Sequence, residues 1–216
     1  MQGSRRFLVL FAAAIVGASF VHELGHAVAG WLQGVAVVPT PFKEYVLRDE
    51  IVWREYAWIA LGGVGGSVLA VLGTLAWYLK RDRASGDAIL AGAILIPLAY
   101  TVRFLLEGRG HDGLEWQAAQ SALGADPAGH AVDFVFLALF VVGFAAWLFR
   151  RRAALGVSTV ARLAGLLVVG IVFIIVFQVT NNLLFDRFFP KTRILDVPPM
   201  AEALSSGTGP AFGQAG

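Results

Sequence analysis

His22 and His26 stand four residues apart with Glu23 between them, in the run His22-Glu23-Leu24-Gly25-His26. On a helix that spacing puts both imidazoles on one face, a turn apart, where they can hold a single ion. Glu23 follows about 100° around the same helix, near enough to act on water at that ion without taking a coordination position. This is the chemistry of a zinc site with its own general base. The chain has four His and no Cys, so thiolate ligands, disulfides and Cys nucleophiles are excluded and a metal must rest on imidazole and carboxylate. Catalytic zinc takes three protein ligands and keeps a further position open, so a third ligand must come from elsewhere. The other imidazoles are His111, in Gly110-His111-Asp112-Gly113, and His130, one helical turn before Asp133.

The elements that position these groups follow from hydropathy. Apolar residues make up 57% of the chain, charged residues 15%, and the mean hydropathy is +0.70, values that belong to membrane proteins. A length of 216 residues supplies one domain, and at about 20 residues per crossing most of it is used by five or six spans. Five apolar runs are long enough: Phe7 to Leu32, Tyr56 to Leu79, Ala88 to Leu106, Ala131 to Phe149 and Leu163 to Phe185. Between the first two, residues 33–55 alternate apolar and polar positions around Pro39 and Pro41, a pattern that predicts a small surface β-hairpin. The expected fold is an all-α polytopic bundle of about five transmembrane helices over residues 1–185, with a short extramembrane β-hairpin after the first helix. From 186 to 216 the periodicity is lost, Pro190, Pro198 and Pro199 intervene, and an extended or mobile tail is expected. Arg5-Arg6 and the apolar run that follows also fit a signal peptide ending near Gly17-Ala18-Ser19, but the apolar stretch continues to Trp31 and predicts a retained span.

Charge sets the expected orientation. The net charge is only +2, and the 17 Lys and Arg fall in short interhelical clusters, which suits topology signals rather than a nucleic-acid footprint. Arg5, Arg6, Lys80, Arg81, Arg83, Arg150, Arg151, Arg152 and Arg162 share one side with only Asp82 and Asp87; the other side is rich in carboxylates. A multi-pass protein of a prokaryotic cell membrane is expected, with its N-terminus cytoplasmic and the His pair toward the outer face. At 1.5 Å per residue His26 then lies about 9 Å and His22 about 15 Å below the outer end of the first span. The loop with His111 and Asp112, and the start of the fourth span with His130 and Asp133, belong to that same end. All four imidazoles converge there.

The stretch His22 to Ala27 resembles the site-2 protease family of intramembrane metalloproteases, whose first core helix carries His-Glu-x-x-His. The resemblance extends more loosely to Gly62–Ser67 and to Asp112-Gly113. It implies a single Zn2+ ion held by His22, His26 and Asp112, with Glu23 as catalytic base; on ligand chemistry His111 is a rival to Asp112. It also implies that the Gly62-Gly63-Val64-Gly65-Gly66-Ser67 helix packs beside the site, and the small-xxx-small spacing of Gly62 with Gly66 and of Gly63 with Ser67 independently favours close helix packing. The family's Asn and Pro upstream of the Asp-Gly pair are missing, since Arg103 and Phe104 stand there. Asn181, Asn182 and Gln178 are the amides that could stabilise an oxyanion instead, or could bond between helices. His130 and Asp133 could orient a ligand or form a second metal site. The implied activity is hydrolysis of peptide bonds in membrane-embedded or membrane-adjacent proteins, the substrate held extended against a strand edge in residues 34–52. A membrane zinc hydrolase acting on a lipid amide or ester would use the same groups, whereas a non-catalytic metal-binding scaffold would have no need of Glu23.

Overall fold

The structure is a computed structural model and describes residues 2–48, 50–80, 83–107, 128–151, 157–189, 193–196 and 208–213. Its helices are α1 (Gln2–Trp31), α2 (Trp53–Lys80), α3 (Arg83–Ala93), α4 (Leu95–Glu107), α5 (Ala128–Arg151) and α6 (Val157–Phe185). Five stretches are long and apolar enough to cross a membrane: Arg5–Trp31, Arg54–Lys80, Ser85–Leu106, His130–Arg151 and Ala164–Phe185. The fold is therefore the expected all-α bundle of a multi-pass membrane protein. Within the third of these stretches the structure interrupts the helix at Ile94, dividing it into α3 and α4. Pro97 is the cause, because it lacks an N–H and its ring crowds the carbonyl four residues earlier, that of Ala93, where α3 ends.

The helices alternate in direction. Gly25 of α1 lies against Gly62 of α2, and Val21 against Gly66, so α1 and α2 run antiparallel with their backbones in contact. Side-chain-free positions on both helices permit this, since a Cβ on Gly62 or Gly66 would strike a carbonyl of α1. Phe11 meets Gly92, and His22 meets Tyr100, so α3 and α4 run parallel to α1. α5 returns, with Phe136 against Tyr100 and Arg151 bonded to Asp87. α6 rises again beside α1 and exposes Val168, Val172, Val176 and Val179, the apolar surface expected of a helix facing lipid. At the Arg-rich end, buried Asp87 accepts bonds from the Tyr78 hydroxyl (3.0 Å) and Arg151, tying α2, α3 and α5 together.

At the other end, α1 stops in a Schellman turn. Gly34 takes φ +73°, the Gly34 N–H bonds to the Trp31 carbonyl and the Val35 N–H to the Gly30 carbonyl. The chain thereby reverses over the end of the bundle into strands β1 (Val37–Thr40) and β2 (Lys43–Val46), the antiparallel hairpin the sequence predicts. Strand alternation then sorts the side chains of β2. Val46 joins Ala27, Val35, Val37, Tyr56 and Ile59 in a core under the hairpin, whereas Lys43 and Tyr45 turn to Asp186 at the end of α6. A further strand, β3 (Glu50–Val52), pairs with β5 (Thr208–Gly213), which also pairs with β4 (Arg193–Asp196). In the tail, these two segments are extended and pair with each other, and β5 joins them to β3 in the connection before α2.

Candidate metal centre

His22 and His26 are almost wholly buried on α1. Their orientation is fixed from behind by α2. The Nδ1 of His26 lies 2.7 Å from the Ile59 carbonyl, and the Nδ1 of His22 lies 2.9 Å from Ser67 Oγ. A carbonyl can only accept, so the His26 Nδ1 carries a proton and Nε2 is the ring atom left for a metal. Gly63 makes this possible, because a Cβ there would overlap the His26 ring. The two Nε2 atoms consequently converge to 3.1 Å. Donors bound about 2.1 Å from one tetrahedral ion are about 3.4 Å apart, so the pair is already set to a common ligand. Outer bonds of this kind are what fix metal-binding imidazoles elsewhere.

Glu23 is buried beside them, and its Oε2 has no hydrogen-bond partner among the described residues. Facing it from β2 is Glu44, which the sequence patterns do not single out. Ligand atoms of Glu23, His26 and Glu44 all lie within 4.8 Å of one another, so the two carboxyls face each other. Two carboxyls in such contact must share a proton, or a cation in its place. Burial pushes the Glu44 carboxyl up, but the charge of His26, the bond from Glu23 and the charge of His22 outweigh it and bring it down to about 2. Glu44 is thus held as an anion. Buried paired imidazoles, an unpartnered buried carboxylate oxygen and a second anionic carboxylate together fit a divalent ion such as zinc.

In front of this group lies a cavity of about 530 Å³ between α1, the hairpin, α4 and α6. Its polar wall carries Lys43, Tyr100, Arg103, Gln178 and Asn182, and its apolar wall Phe42, Ile96 and Ile174. α2 supplies no lining; it works only from behind. Gln178 and Asn182 bring amides to the cavity wall, and among the described residues the buried Asn182 Oδ1 has no hydrogen-bond partner. Asn181 does something else: its Nδ2 donates to Thr40 Oγ1 at 3.0 Å, fastening α6 to the hairpin turn. Gly62 and Gly66 serve helix contact, whereas Gly63 and Ser67 serve the imidazoles directly.

His130 and Asp133 pair with each other on α5 at 3.4 Å, and neither lines the cavity. They belong to the same end of the bundle but to a different face. Asp112 and His111 fall outside the described residues. No protein-family model, curated protein or solved structure matches this chain, so the chemistry of the site rests on its own residues.

Proposed function

We propose that the chain is an intramembrane zinc hydrolase that cleaves peptide bonds of membrane-embedded or membrane-adjacent substrates. The observation that carries this reading is the convergence of the His22 and His26 Nε2 atoms to 3.1 Å beside the unpartnered, buried Oε2 of Glu23. His22 and His26 would hold the zinc, with a further carboxylate completing the set. Zinc there would supply a Lewis acid that polarises the scissile carbonyl and acidifies water. Glu23 Oε2 accepts the proton from the attacking water and returns it to the leaving amine. Asn182 and Gln178, which line the cavity, are the amides that would donate to the developing oxyanion. The basic end, with Lys80, Arg150 and Arg151, is taken as cytoplasmic and the cavity end as outward.

A lipid amide or ester is the second reading. Arg103 on the cavity wall favours it, because a guanidinium suits a phosphate headgroup. One experiment addresses both. Purified protein in liposomes is tested against membrane-spanning fluorogenic peptides and a panel of phospho- and sphingolipids, with wild type beside Glu23→Gln. Peptide cleavage that vanishes in Glu23→Gln while zinc is retained supports the protease. Lipid turnover with the same dependence supports the second reading, and product formation that survives Glu23→Gln would overturn the mechanism.

A further inference from the structure

Two imidazoles on one helix face leave the opposite side of an ion open. A third donor must therefore come from another element, and it must be anionic or neutral and able to reach across the cavity. Among the described residues with metal-ligating side chains, one outside α1 meets this condition. Glu44 on β2 has a carboxylate oxygen within 4.8 Å of the ligand atoms of His26 and Glu23. Building on the zinc reading above, we infer that Glu44 is a zinc ligand, delivered to the helix-borne His pair by the β1–β2 hairpin.

The fold is arranged for this delivery. The Gly34 turn folds the hairpin back over the end of α1, and the register pairing Thr40 with Lys43 and Val37 with Val46 fixes which side of β2 faces the site. Asp186 holds Lys43 and Tyr45, the neighbours of Glu44 on either side, at 2.8 and 2.9 Å, and Asn181 holds Thr40. Glu44 is thereby pressed toward His26 from a strand whose other face is tied down. Glu23 faces Glu44 across the same space, so an ion held by His26 and Glu44 would leave Glu23 beside it as base. Separations up to 4.8 Å close to the roughly 3.4 Å of a tetrahedral set with a small shift of side chains.

Zinc affinity and the visible spectrum of the cobalt-substituted protein test this on the full chain in detergent, for wild type, Glu44→Gln, Glu44→His, Asp112→Asn and His26→Ala. Glu44→Gln should lose more affinity than the roughly 10–100-fold expected for an outer partner, and its cobalt spectrum should change. Glu44→His, which restores a donor, should recover most of the affinity with a spectrum of its own, a rescue that a merely structural Glu44 would not show. Asp112→Asn should change both readouts less than Glu44→Gln does. Wild-type affinity and spectrum in Glu44→Gln, or no recovery in Glu44→His, would overturn the inference while leaving the zinc site itself standing. A wild type that binds no stoichiometric zinc, indistinguishable from His26→Ala, would remove the site and this ligand together.

Discussion

Ser67 Oγ lies 2.9 Å from the Nδ1 of His22, a bond across the α1–α2 interface between two buried side chains. It sets the ring so that Nε2 faces His26. Ser67→Ala removes the partner without adding bulk, so the bundle should fold and zinc affinity should fall about 10–100-fold. Competition against a calibrated chelator measures this. Unchanged affinity would mean that packing alone orients His22.

Gly63 makes a sharper case, because the space its missing side chain leaves is filled by the His26 ring. Gly63→Ala must push that ring away from the Ile59 carbonyl and from His22. We expect stoichiometric zinc to be lost. Gly73, on the same helix, has nothing within 4 Å of where a Cβ would sit, so Gly73→Ala should bind zinc as wild type does and gain up to about 1 kcal/mol of helix propensity. Equal effects of the two substitutions would show that α2 simply tolerates or rejects Ala as a helix, with no special role for position 63.

The contrast between His26 and Glu44 explains how much of this was legible in the sequence. His22, Glu23 and His26 share one helix, where spacing along the chain dictates spacing in space, and hydropathy alone marks that helix as a span. Glu44 reaches them only through the Gly34 reversal and the hairpin register. A slip of one residue would turn Glu44 to the opposite face, and no local pattern reports that choice. Ser67 is intermediate: the small-residue spacing of α2 predicts close packing at this depth, but not which hydroxyl meets which ring. The hairpin itself was legible from alternation and turn residues, and the break at Ile94 follows from Pro97, though a hydropathy run passes over it. His130 and Asp133 show the limit of reasoning by depth, since sharing an end of the bundle did not bring them to the same cavity.

Asp186 gives the hairpin latch a pH dependence of definite sign. Burial pushes its carboxyl up, but the bonds from Lys43 and Tyr45 and the Lys43 charge outweigh burial, so the folded group titrates below the usual carboxylate range. Burial and the bond to Asp186 push the Tyr45 phenol upward, so it remains a donor throughout. A depressed folded pKa contributes stability that is fully present above the unfolded value of about 3.9 and is lost as pH falls through the folded value. The Lys43–Asp186 pair is substantially exposed, so its contribution is at most about 1 kcal/mol, or roughly 2–4 °C in a chain of this size. In detergent, wild type should therefore melt a few degrees above Asp186→Asn from about pH 5 upward, and the gap should close as pH falls below 4. Comparing the two proteins at each pH cancels every other titrating group. A gap of constant size from pH 3 to 7 would mean that Asp186 acts through its shape and hydrogen bonds rather than its charge.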